Sequence, residues 1–132
     1  MSPDGGADGK EAQGRNNQSL VLRLTHGQAS FLLPSDIEEE AERSLLGRPG
    51  LKSEVMVAPH HGSATSSSIE FVRAVAPRYV AISAGQNQAG HFPASEIVAR
   101  YNELGCTIVN TAEHGSLFFR TAGKEIQVTT YR

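Results

Sequence analysis

The chain has 132 residues, 39% hydrophobic and 20% charged, which suits one compact domain and is too short for two ordinary ones. A formal net charge of -2 and a pI near 6.2 exclude a broadly basic nucleic-acid-binding surface, so any such role must come from a localised site. The single cysteine, Cys106, excludes a disulfide framework and a Cys-rich zinc module, and no apolar run approaches the roughly 20 residues of a membrane-spanning helix.

Residues 1–17 hold almost no large apolar side chain and several glycines. They are expected to form a disordered lead-in, because they cannot bury enough surface to offset their ordering entropy. The same stretch lacks the basic-then-apolar order of a signal peptide, so the chain taken alone reads as soluble. The domain is expected over residues 18–132. Residues 19–25 alternate as a strand, His26-Gly27 suits a tight turn, and residues 29–33 form the returning strand of a hairpin.

Residues 37–46 read as a helix with Ile37, Ala41 and Leu45 on one face and acids in the first turn, where the helix dipole favours them. Glu38, Glu39, Glu40 and Glu42 are assigned to its solvated face. Residues 54–58 are a short continuous apolar strand of the kind buried on both faces. Ser68 is placed to cap a helix over residues 69–75 that Pro77 ends. A buried strand over residues 79–83, a helix over 94–104 ended by Gly105, and closing strands over 106–109, 115–120 and 125–130 complete the chain. Cys106 reads as a small core side chain. The resulting order, β-β-α-β-α-β-α-β-β-β, defines an α/β layered domain.

In such sheets, ligand crevices open at the C-terminal ends of the strands. Asp36, His60-His61 and His91 each follow a predicted strand, so successive strand ends deliver metal-compatible side chains. Asp36 also suits a helix N-cap, and the two roles are compatible. His60 and His61 form an elbow between Pro59 and Gly62. If the elbow is extended, the two rings point to opposite sides and only one faces the crevice. Ser63, Thr65 and Ser66 add hydroxyls that could hold a phosphate or carboxylate. His91, before a helix, could instead cap or pack, while His26 and His114 read as turn residues. No phosphate-binding glycine loop, dinucleotide fingerprint or nucleophile elbow is present.

The runs Phe31-Leu-Leu-Pro-Ser-Asp36-Ile37, Val57-Ala-Pro-His60-His61-Gly62-Ser63 with its Thr/Ser tail, and Gly90-His91-Phe92-Pro93 resemble the metallo-β-lactamase domain of ComEC-type competence proteins, a bacterial DNA-uptake channel family. The resemblance covers roughly residues 16–119. It implies an αββα sandwich with a dinuclear divalent-metal site (Zn or Mn) that hydrolyses phosphodiesters, single-stranded DNA being the substrate. It further implies a membrane-attached setting and partnership with a channel region.

Carried over position by position, Asp36 is the bridging metal carboxylate, and His60 or His61 is the late histidine ligand. His61 and His91 are the candidates for a catalytic role, and Ser63, Thr65 and Ser66 for substrate contact. Ser35 stands where the family has glycine, and Phe92 is inserted before Pro93. The family's early His-x-Asp-x-Asp-His ligand block has no counterpart here. The chain is therefore expected to supply the C-terminal half of the sandwich, with an incomplete metal site and the strands at residues 55–58 and 80–83 partly uncovered. Two rival readings are a catalytically inert module that binds a partner through that face, and a metallo-hydrolase acting on a small molecule.

Overall fold

The structure, a computed structural model, describes residues 20–83 and 93–131. The expected lead-in over residues 1–17 and His91 lie outside the described residues.

Strands β1 (Leu22–His26) and β2 (Ala29–Leu33) pair antiparallel across the turn Gly27-Gln28. β3 (Val55–Val57), β4 (Tyr79–Ile82) and β5 (Thr107–Asn110) then add in parallel, giving one five-stranded sheet in the order β1-β2-β3-β4-β5. Because β2 to β5 follow one another in both sequence and space, every crossover steps in the same direction. The right-handed rule for parallel crossovers then sends all three connecting helices to one face.

Those helices are α1 (Glu39–Leu45), α2 (Ile69–Val75) and α3 (Ser95–Glu103). Their apolar residues Leu45, Phe71, Val72, Val75, Ile97 and Tyr101 close a core over Leu32, Met56, Val80 and Ile82. Cys106 is buried in the same core, as expected, and burial raises its thiol pKa. The cap on α2 is also as read from the sequence: Ser68 accepts from Phe71 N–H.

A separate hairpin, β6 (Ser116–Thr121) with β7 (Ile126–Tyr131), lies against the sheet's second face. Its Phe119, Ile126 and Val128 pack on Ala29, Phe31, Val55 and Tyr79, and the Tyr79 and Phe119 rings meet edge to face at 6.2 Å. This largely corrects the expectation that residues 55–58 and 80–83 are partly uncovered: Val55, Met56, Ala58, Val80, Ala81 and Ile82 are buried, while Val57 is half-buried and Ser83 exposed. Exposed apolar side chains include Leu20, Leu22 and Leu24 at 50%, 43% and 54%, on the edge strand and just before it, and also Leu46, Ile69, Phe118 and Tyr131 elsewhere. The hairpin is locked at its turn, where Gln28 N–H donates to Gly123 O at 2.5 Å and a Cβ on Gly27 would overlap the Gly123 carbonyl.

The element order differs from expectation by one short helix, α4 (Thr111–His114), between β5 and β6. Asn110 starts it by accepting from Ala112 N–H at 2.7 Å. Four residues are too few to leave a periodic signal.

Candidate functional site

The parallel strands place the ends of β2 and β3 side by side. After β2 the chain turns through Ser35, at φ 61°, whose carbonyl accepts from His60 N–H at 2.9 Å. After β3 it enters a tight turn over Pro59–Gly62 in which His60, His61 and Gly62 have φ of 50°, 57° and 83°. Only the glycine is at ease there; each histidine in this left-handed region costs on the order of 1 kcal/mol. The elbow is thus a left-handed turn rather than extended chain. It nevertheless sends the two rings to different partners, with centroids 6.4 Å apart.

His61 faces the β2 end. Its Nδ1 lies 2.9 Å from the Ser83 carbonyl at the end of β4, and its Nε2 lies 3.7 Å from Asp36 Oδ1. A carbonyl only accepts, so the Nδ1 proton is assigned to that bond. In the neutral ring, Nε2 then turns a lone pair toward a carboxylate that is itself only an acceptor. Both side chains are about half exposed, at 47% and 48%. Asp36 does not cap α1; that position falls to Glu38, whose side chain makes no cap bond.

His60 turns toward helix α1 instead. Its Nδ1 is 3.3 Å from Glu38 Oε2, and Glu38 also accepts from the Thr65 hydroxyl. The Thr65 and Ser63 hydroxyls are 3.0 Å apart, and Glu39 N–H donates to Thr65 O at 3.0 Å. The loops that carry Asp36 and His61 are therefore joined along their length. Glu38 belongs to this junction and not to a solvated face.

Ser66 is fully buried and bonds inward, its hydroxyl 2.9 Å from both the Pro59 and Ser63 carbonyls. Behind it lies a second departure from the acidic-face reading. Glu42 is fully buried and accepts from Ser67 N–H at 2.5 Å and Ser68 N–H at 2.9 Å. Position 42 follows Glu38 by one helical turn, so it faces the serine loop, whose amides at the start of α2 need acceptors. Burial raises the Glu42 pKa, and the two amide bonds partly oppose that shift. The Tyr101 hydroxyl meets Ser67 Oγ at 2.5 Å, and Arg100 donates to Ser67 O at 2.7 Å. Desolvation pushes the tyrosine pKa upward. In an acid-rich run nothing local marks Glu42 as the buried member.

The elbow also touches the entry to α3. Ala94 N–H donates to Gly62 O at 2.9 Å, and a Cβ on Gly62 would come within 2.7 Å of Pro93 Cβ. His114, expected in an exposed turn, is half-buried in α4 with Nδ1 3.0 Å from Asn110 O. His26 ends β1 and is exposed. Among the described residues, no three His, Cys, Asp or Glu side chains come together closely enough to hold a metal ion.

The arrangement is a polar strand-end site on a mostly parallel α/β sheet, and its relatives are competence-type proteins. The chain is 39% identical over 106 residues to Competence protein ComA of Neisseria gonorrhoeae and 32% identical over 107 residues to ComE operon protein 3 of Bacillus subtilis. It is 31% identical over 102 residues to Recombination protein 2 of Haemophilus influenzae. These alignments take in 79%, 80% and 77% of this chain but 15%, 14% and 13% of the relatives, so the chain spans about one seventh of their length. No family model matches it. No helix among the described residues is long and apolar enough to cross a membrane.

Proposed function

We propose that this chain contributes Asp36 and His61 to a divalent-metal site of a phosphodiesterase acting on single-stranded DNA in competence. One observation carries the reading. The Ser83 carbonyl fixes the His61 tautomer so that Nε2 and Asp36 Oδ1, both electron-pair donors, face each other at 3.7 Å. Imidazole and carboxylate facing each other at this distance are a donor pair that suits Zn or Mn. The donor set fits the metal in kind but not in number, since a catalytic site takes three or more protein ligands. When bound, the metal would supply a nucleophile at neutral pH and charge for the phosphoryl oxygens.

The chain's own residues hold this half-site in place. His60 and Glu38 tie the elbow to α1, and Gly62 seats it on Pro93. Thr65 is exposed at the rim, where it could meet a phosphate, and the buried Ser63 hydroxyl lies 3.0 Å behind it. The metallo-β-lactamase sandwich, the role of His91 and attachment to a channel belong to the same proposal. The exposed Leu20, Leu22 and Leu24 favour a second reading, an inert module that seats another polypeptide on this face.

The test is Mn²⁺ addition followed by NMR. Selective broadening of the His61 and Asp36 resonances, abolished in Asp36→Ala, is expected. Broadening that is absent, or unchanged in that variant, would sink the metal site. If Mn²⁺ binds but a short single-stranded oligonucleotide then leaves the Ser63 and Thr65 amides unmoved, the substrate assignment fails alone.

A further inference from the structure

At the opposite ends of the strands from Asp36 and His61 the surface forms a groove of about 480 Å³. It is lined by Arg23 of β1, Lys52 and Ser53 before β3, Arg78 before β4, and Gln28, Ser30, Glu54 and Ala76. Three cations converge on this concavity in a chain whose net charge is -2. Among the described residues none of them has a carboxylate within the 4.0 Å of an ion pair. Glu54 lines the groove without approaching any of the three that closely.

One cation is held in place rather than loose on the surface. Arg23 donates from Nη2 and Nε to the Lys52 carbonyl at 2.7 and 3.1 Å, and from Nε to Ser53 Oγ at 3.2 Å. Both acceptors are neutral, so its charge stays uncompensated while its position is fixed. The Arg78 guanidinium lies 5.2 Å from the Tyr79 ring centroid, which restrains it too. Like charges gathered at one concavity repel unless an anion joins them.

We infer that this groove binds the phosphate backbone of a single-stranded nucleic acid, at a site separate from the metal half-site. Spaced guanidinium and ammonium groups around polar walls match successive phosphates. An anionic lipid surface fits less well, because the only apolar lining residue is Ala76, which offers nothing to insert. The choice of nucleic acid over another polyanion rests on the proposed function, whereas the location of the site does not.

The test is fluorescence anisotropy of a labelled oligonucleotide on the whole chain, in EDTA so that no metal site contributes. Lys52→Glu with Arg78→Glu should weaken binding at least tenfold and flatten the salt dependence by roughly 1–1.5 in log-log slope, as expected for two lost phosphate contacts. Arg73→Glu with Arg120→Glu, exposed and outside the groove, makes the same charge change and should have a clearly smaller effect. Arg23 is left intact because it ties β1 to the loop before β3. Equal losses in the two variants, or no loss in the first, would overturn the site. Binding to phosphatidylserine vesicles that is lost in the first variant, with the oligonucleotide unaffected, would overturn the ligand. Because the measurement excludes metal, its failure leaves the Asp36–His61 reading standing, and the reverse also holds.

Discussion

The elbow at residues 59–62 and the serine loop at residues 63–68 are adjacent stretches of chain, yet they treat their polar groups in opposite ways. The elbow turns His61 outward to a half-exposed carboxylate, Asp36. The end of the serine loop turns the Ser67 and Ser68 amides inward to a buried one, Glu42, and the Ser67 hydroxyl to Tyr101. The first arrangement sets an imidazole nitrogen 3.7 Å from a half-exposed carboxylate oxygen, and the second satisfies a buried carboxylate with two backbone N–H groups. Buried polar groups are worth most when fully bonded and cost most when stripped, whereas exposed pairs contribute little to stability. The serine loop should therefore govern stability and the elbow ligand binding.

The largest effect is expected from Glu42→Ala. It leaves the Ser67 and Ser68 amides buried without acceptors and opens a cavity, costing about 2–4 kcal/mol in denaturant unfolding. A cost near zero would mean that the inward network contributes no more than the outward pair. Gly62→Ala comes next. It puts a Cβ at φ 83° against Pro93 and should cost about 1–3 kcal/mol, with the amide resonances of Pro93's neighbour Ala94 shifting as the elbow separates from α3.

Smaller still is Glu42→Gln, which keeps one acceptor and loses the other at about 1 kcal/mol. Its pH dependence sharpens the contrast. The folded Glu42 pKa is raised above its ordinary value of 4.5, so the folded state binds the proton more tightly than the unfolded one. Stability from this group is then full below the ordinary value and declines as pH rises through the raised one. The wild-type advantage over Glu42→Gln should shrink with rising pH in thermal melts, opposite to an ordinary ion-paired carboxylate. The least effect on stability belongs to Asp36→Asn, under about 0.5 kcal/mol, although the same change should abolish Mn²⁺ broadening at His61.

Much of this architecture was legible in the residues. The apolar runs at Val55, Val80 and Ile108 placed the parallel strands, and Ser68 announced its own helix cap. Asp36 and His61 could be nominated because strand ends are where α/β sheets present ligands. Which of His60 and His61 faces Asp36 was not legible, because it depends on two successive left-handed residues and on a carbonyl 22 positions away at Ser83. Glu38 and Glu42 were hidden in a run of acids whose members look alike until α1 is docked on the serine loop. The cover supplied by β6 and β7 was missed for a related reason: alternating strands do not say which sheet they will lie on.

The meeting of the two glycine turns, at Gly27 and Gly123, bears on the order of folding. Each hairpin can form from its own local contacts in roughly 1–10 μs. Their turns lie near opposite ends of the described chain, so bringing them together must await closure of the long loop between them. Docking of β6 and β7 is thus a late event, and until it occurs Phe31, Val55 and Tyr79 remain an open apolar surface on a nascent parallel sheet. That interval is when this chain is most exposed to misassociation with its own copies.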